Sequence, residues 1–402
     1  MSSSADVSIW ATRRFCLAWP PCWYSCSDCC AIRSRPCGEN SMNEGPPGAS
    51  NARGCDADAP ALGELYCGYA NDAEIRAHAS SGGIVSSILT DVLETGVVDA
   101  ALVSWIASEN GHIRAVSGLA DNRKDVLAEA GSTYIYTPVI EAVRELENTD
   151  RRVAVVALPC QARSIRKLIE KRPNLRRNVV LIIGLFCRGA VGPEFYDDLF
   201  RKKGINPGEV QRVKVTRGHV GGEVRVILHD GRIVPLSFFG MNAYRTAGFH
   251  AHPGCLHCTE HLAEAADISV GDIFTPEYER REIKHSCFIP RTEAGRAIVQ
   301  RLAESGRIAF EFFGAQRYRQ TFRKIEAFSN SIASRTLAAK LAGVRLPPHP
   351  LRFCHPLHVL SWTLFFLFYR LSRTPWGRRM LYALPPIAVK GAAILVKGLS
   401  KT

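Results

Sequence analysis

Four cysteines stand beyond apolar runs of the chain or in a tight pair: Cys160 in Pro159-Cys160-Gln161, Cys187 two residues after Leu185, and Cys255 with Cys258. Thiolates supplied by three loops can hold a cuboidal iron–sulfur cluster or a zinc ion. The Cys-x-x-Cys pair is the most specific part of the set, and His257 and His261 beside it keep a zinc site open. The chain has 14 cysteines in 402 residues, and a chain of that length buries a core without disulfides, so the thiols ask for a chemical reason. Cys55, Cys67, Cys287 and Cys354 have no partner at ligand spacing and read as buried or incidental thiols.

A second constellation is Ser80-Ser81-Gly82-Gly83 at the start of a helical pattern. Free N–H groups and the helix dipole at such a start favour an anion such as phosphate, and glycines let a ligand approach the backbone. Gly131-Ser132-Thr133-Tyr134, ahead of Pro138, is a similar polar turn. Cys16, Cys22, Cys26, Cys29, Cys30 and Cys37 crowd the first 41 residues with neither helical nor strand period. A ferredoxin-type loop needs three cysteines two apart and a fourth before proline. Only Cys26 and Cys29 fit, so residues 1–60 read as a disordered, Cys-rich leader.

The elements that must position these residues follow from periodicity. Ile84, Val85, Ile88, Leu89, Val92 and Leu93 recur at helical spacing between Ser80-Ser81 and Gly96, a helix capped by serine and stopped by glycine. Val97 to Ile106, Val153 to Leu158 and Val179 to Leu185 read as buried strands, with Val139 to Leu146 and Gln161 to Ile169 as helices. Strand, helix, strand at this spacing predicts parallel pairing, which presents Cys160 and Cys187 at one sheet edge. From near Val210, short strands with an Asp230-Gly231 hairpin turn suggest a different pattern, a smaller α+β unit. The fold class is therefore α/β: a layered sheet with flanking helices, plus a smaller α+β unit carrying the CxxC motif. The expected units are an α/β region over 61–205, an α+β region over 206–330 and a basic apolar tail over 331–402.

Apolar residues make up 46% and charged residues 22% of the chain, which excludes disordered and collagenous classes. The net charge is +13, and residues 345–402 hold nine Lys and Arg with no acid. Excess charge in one apolar tail, rather than over a folded face with interleaved aromatics, argues against nucleic acid. Leu357 to Tyr369 is apolar but shorter than the roughly 20 residues of a spanning helix. Residues 352–402 thus suit peripheral membrane contact, with packing on the protein or a partner as the rival reading. No signal-peptide pattern precedes the fold, and the expected location is cytoplasmic.

Taken together, Ile75 to Gly83, Gly131-Ser132-Thr133-Tyr134, Leu158-Pro159-Cys160-Gln161, Leu185-Phe186-Cys187, Cys255-Leu256-His257-Cys258 and Ala266 to Asp272 fall in a familiar order. The chain resembles the coenzyme F420 hydrogenase/dehydrogenase beta-subunit family, which also contains hydroxymethyl chlorophyll a reductase-like proteins, over about residues 62 to 300. The resemblance implies an oxidoreductase with FAD and a [4Fe–4S] cluster, exchanging hydride at the flavin and single electrons at the cluster. It implies FAD at Ser80, Ser81, Gly82, Gly83, Gly131, Ser132 and Tyr134, and the cluster at Cys160, Cys187, Cys255 and Cys258. Reduced F420 or ferredoxin would be the redox carrier, F420 acting as co-substrate. The competing expectation is a zinc-stabilised, non-catalytic interaction protein on the same scaffold, associated with a membrane.

Overall fold

Alternation of apolar runs with glycine-bounded turns produces the strands β1 (Tyr66–Ala70), β2 (Ala100–Glu109), β3 (His112–Ala120), β4 (Val153–Ala157), β5 (Val179–Leu185), β6 (Val210–Thr216), β7 (Glu223–Leu228), β8 (Ile233–Ser237), β9 (Ile268–Asp272), β10 (Ser286–Pro290) and β11 (Ile308–Phe312). This computed structural model describes residues 65–216, 222–273, 275–350 and 354–398. The Cys-rich leader and Cys55 lie outside the described residues.

The strands join in one mixed sheet in the order β11-β1-β10-β9-β5-β4-β2-β6-β7-β8, with β3 also on β2. Its middle is parallel: β4 pairs with both β2 and β5, and β5 pairs with β9. β4 and β5 are almost continuous apolar runs because both faces are covered, as parallel strands require. The flanks are antiparallel, and β6, β7 and β8 continue the sheet through a bridge between Ile106 and Val213. The fold is α/β as its residues foretell, with the α+β strands extending the main sheet.

Packing brings distant segments flush with the sheet. A methyl group on Gly184 of β5 would stand 2.3 Å from the Ala263 side chain, so only glycine lets the segment after the CxxC motif lie against β5. Asp267, at the start of β9, accepts from the Ile182 amide at 2.7 Å and pairs with Arg166 at 2.7 Å. That pair fastens the helix Pro159–Lys171, whose second residue is Cys160, onto the β5–β9 seam.

The C-terminal region forms helices Ile332–Leu341, Pro356–Ser372, Pro375–Ala383 and Pro386–Gly398. Leu381, Tyr382 and Val389 are buried with Tyr244 and Phe249 in the core around β6 and β7. Tyr244 Oη donates to the Leu384 carbonyl at 2.8 Å. Among the described residues no helix is long and apolar enough to cross a membrane.

Candidate functional site

Parallel β4 and β5 release their chains at the same sheet edge, so Cys160 opens one helix and Cys187 opens the neighbouring loop. The helix start is pinned by Gln161. Its Oε1 accepts from the Leu158 amide at 2.8 Å, and its Nε2 donates to the Thr137 carbonyl at 2.6 Å. The Cys187 loop is tied to the CxxC loop twice: the Cys187 amide donates to the His261 carbonyl at 2.9 Å, and His261 Nδ1 lies 2.8 Å from the Cys187 carbonyl. A carbonyl only accepts, so Nδ1 carries the proton and Nε2 is the free acceptor. That Nε2, like His257 Nε2, is buried without a partner among the described residues. Burial lowers the pKa of both imidazoles and keeps them neutral.

The four thiols are electrostatic neighbours. Burial, foremost, and the nearby Cys255, Cys160 and Cys258 push the Cys187 thiol up to about 12, although the Gly189 amide opposes this. Cys160, the exposed member, is pushed up to about 11 by loss of solvent around its sulfur and by Cys258 and Cys255. Cys255 and Cys258 are raised by burial as well. Amides aim at the sulfurs: Gly189 N–H at Cys187 Sγ, 3.4 Å, and Ala190 N–H at Cys255 Sγ, 3.3 Å. Such donors stabilise thiolate and tune a metal group bound to it. In the metal-free chain the thiols are protonated at neutral pH, so metal loading releases protons.

Arg335 supplies the missing charge. Its side chain is fully buried, yet among the described residues no carboxylate lies against it. The guanidinium donates to the carbonyls of Leu256 at 3.0 Å, Cys258 at 3.1 Å and Phe328 at 3.0 Å, and stacks on Phe328 at 4.0 Å. Its Nε has no partner among the described residues. An unneutralised interior cation is costly, and the thiol that acts on it is that of Cys258. Among the described residues no three His, Cys, Asp or Glu side chains converge on one ion-sized point. The four thiols lie within electrostatic range of one another, and amides are aimed at two of the sulfurs, the chemistry of a thiolate ligand set not drawn to a single point.

The two polar turns meet across the sheet. Ser132 Oγ donates to Ser80 Oγ at 3.0 Å, Ser80 Oγ donates to the Val215 carbonyl at 2.8 Å, and the Ser132 amide donates to that same carbonyl at 3.1 Å. The expected serine cap is replaced. Gly83 is the N-cap of Ile84–Glu94, at φ +82°, and no side chain caps it. Ser81 Oγ instead donates to the His285 carbonyl at 2.9 Å, and the Gly82 amide donates to Ser286 Oγ at 2.9 Å. The serines anchor the turn to β6 and to the segment entering β10, which leaves the first helical amides without a side-chain cap among the described residues.

Tyr134 links the turns to the thiols. It sits at φ +55°, with the Arg245 guanidinium 4.5 Å over its ring. The Val191 amide donates to the Tyr134 carbonyl at 3.0 Å, the Tyr136 amide to the Val191 carbonyl at 3.1 Å, and the His252 amide to the Ala190 carbonyl at 2.9 Å. One backbone frame thus holds Gly131 to Tyr136, the Cys187 loop and the approach to Cys255. Tyr136 stacks on His252 with 4.4 Å between centroids. Arg188, next to Cys187, has its pKa lowered by crowding and by the charge of Arg245. Sequence reasoning missed Arg335 and Arg188 because basic residues carry no spacing signal, and it assigned Arg245 no role. Cys67 and Cys287 prove to face each other across β1 and β10, fully buried.

A mixed α/β sheet thus places the thiol-bearing loops and the two polar turns in one backbone frame. Residues 65–144 match the N-terminal part, and residues 150–314 the C-terminal part, of the family described as coenzyme F420 hydrogenase/dehydrogenase, beta subunit. The chain belongs to the coenzyme F420 hydrogenase/dehydrogenase beta-subunit family. It is 30% identical over 208 residues to an F(420)H(2) dehydrogenase subunit of Methanosarcina mazei, a match covering 50% of this chain and 54% of that protein. It is 27% identical over 241 residues to coenzyme F420 hydrogenase subunit beta of Methanococcus voltae, covering 59% and 80%. A chain from the F420-reducing [NiFe] hydrogenase complex of Methanosarcina barkeri shares the fold, with a TM-score of 0.53 and 21% identity over 72% of this chain and 98% of that one. The chain spans about half the length of the first of these relatives.

Proposed function

We propose that this protein is an iron–sulfur flavoprotein oxidoreductase using FAD and one [4Fe–4S] cluster, with reduced F420 or ferredoxin as its redox carrier. When bound, FAD would exchange hydride and the cluster single electrons, chemistry that belongs to the cofactors. The chain's part is to hold them. Cys160, Cys187, Cys255 and Cys258 would ligate the cluster, with the Gly189 and Ala190 amides and Arg335 offsetting its negative charge. The amides that follow Gly83 would receive the FAD pyrophosphate, with Ser80, Ser81, Ser132 and Gly82, whose own amide is taken by Ser286 Oγ, fixing the turn, and Gly83, Gly131 and Tyr134 shaping its approach.

The observation that carries this reading is Arg335, a fully buried cation that acts on the thiol of Cys258 in the CxxC loop. The flavin-binding part would be residues 61–205 and the iron–sulfur part 206–330. We place the enzyme in the cytoplasm, peripheral to a membrane through residues 352–402. Relatives named for F420 support F420 as the hydride carrier. Anaerobic mixing with reduced F420, reduced ferredoxin or NAD(P)H tests this. Bleaching of bound flavin by reduced F420 or ferredoxin is expected, and bleaching by NAD(P)H alone would contradict the carrier assignment.

A further inference from the structure

Three successive helices near the C-terminus turn apolar side chains outward at helical spacing. Leu360 and Leu367 lie seven apart on Pro356–Ser372, Trp376 and Met380 four apart on Pro375–Ala383, and Ile387 and Ile394 seven apart on Pro386–Gly398. Trp376 is 68%, Ile387 73% and Ile394 60% exposed. Each pair therefore occupies one face of its helix, where a water-facing helix would carry polar residues. Isolated exposed apolar groups need no explanation, but a succession over three consecutive helices does.

The charge of the same segment selects the occupant. Residues 345–402 hold nine basic residues and no acidic one. Arg373 and Arg379 are exposed beside the apolar positions. Arg378 and Arg370 face inward, Arg378 Nη1 to Asp198 at 3.4 Å and Arg370 Nη1 to the Ala342 carbonyl at 2.7 Å. The helices are firmly held: Tyr382 packs against Tyr244 with 4.9 Å between ring centroids, and Leu381, Tyr382 and Val389 share the core of β6 and β7. Exposed tryptophan and aliphatic groups between arginines, on helices that cannot span, are the signature of an interfacial surface.

We propose that residues 356–398 form a rigid docking face for an anionic phospholipid bilayer, with Trp376, Met380, Ile387 and Ile394 entering the headgroup layer and Arg373 and Arg379 pairing with lipid phosphates. This rests on the peripheral-membrane part of the proposed function and on none of its cofactors. Basic side chains near such a surface each contribute about five-fold in partitioning, and the attraction is lost as salt shortens its range.

The test is co-sedimentation of the full-length protein with vesicles of phosphatidylcholine alone or mixed with phosphatidylglycerol. Binding to mixed vesicles is expected, falling at least ten-fold in 0.5 M salt, in the double variant Arg373→Gln/Arg379→Gln and in Trp376→Ser/Ile387→Ser. These side chains are exposed, so an unchanged melting curve will certify folding. Equal binding to both vesicles overturns the anionic specificity while keeping membrane attachment. Absence of binding, with or without self-association that Ile387→Lys abolishes, overturns membrane attachment itself.

Discussion

The guanidinium of Arg335 donates to the carbonyl of Cys258 at 3.1 Å from a side chain with no exposed surface. It reaches the CxxC loop from a helix 77 residues further along the chain. Such a contact positions ligands without being one. Arg335→Met should strip iron from the protein while FAD stays, and should cost about 2 kcal/mol because carbonyls lose their donor. Arg335→Lys keeps the charge but cannot span the carbonyls, so its iron content should fall between the two. The iron-to-FAD ratio and a denaturant titration check both.

Gly82 lies against backbone atoms on two sides. An added methyl would stand 2.6 Å from the Gly68 carbonyl oxygen and 2.7 Å from the Ser286 nitrogen. Gly82→Ala must therefore displace the turn from β1 and β10, with a loss of about 2 kcal/mol in stability. FAD released on denaturation should drop, with iron retained. The charge-bearing variant Ser81→Asp sets a carboxylate near the His285 carbonyl and the pyrophosphate position, and should weaken FAD binding at least ten-fold.

Cys160→Ser and Cys187→Ser separate the cluster from zinc. Each should abolish iron loading with flavin retained, because a cubane held by four thiolates loses a corner. Zinc on Cys255, Cys258, His257 and His261 would survive both changes, and metal analysis of the variants distinguishes the cases.

The acid limb of stability has a defined contributor. Hydrogen bonds from the Arg152 side chain and then its amide hold Asp99 at about 2, below its ordinary 3.8. A depressed carboxylate stabilises the fold above its unfolded value and loses that contribution as pH falls through the folded one. The effect is thus full above about pH 4 and gone near pH 2. Asp99→Asn should flatten the decline of the melting temperature between pH 5 and pH 2.5, and the pair's surface exposure keeps the difference small.

Much of the thiol arrangement was legible because parallel strands have a simple consequence. Apolar runs at Val153 and Val179 demand buried neighbouring strands, and the residues after them must share an edge, as Cys160 and Cys187 do. Other elements were present in the letters but passed over. Asn110-Gly111 is a hairpin signal, both residues have positive φ, and β3 follows it. The helices Ala315–Asn330 and Ile332–Leu341 were hidden by polar residues, since Arg335 occupies an interior position where an apolar residue is expected. The serine cap failed because β6 and β10 offer those hydroxyls better partners than the helix does. Contacts of that range have no local signature.

The most direct measurement is metal and flavin analysis of the anaerobically isolated, full-length protein. The account predicts a brown protein with about four irons and one FAD per chain, and a cluster signal on reduction. A colourless protein carrying one zinc per chain and no flavin would contradict it.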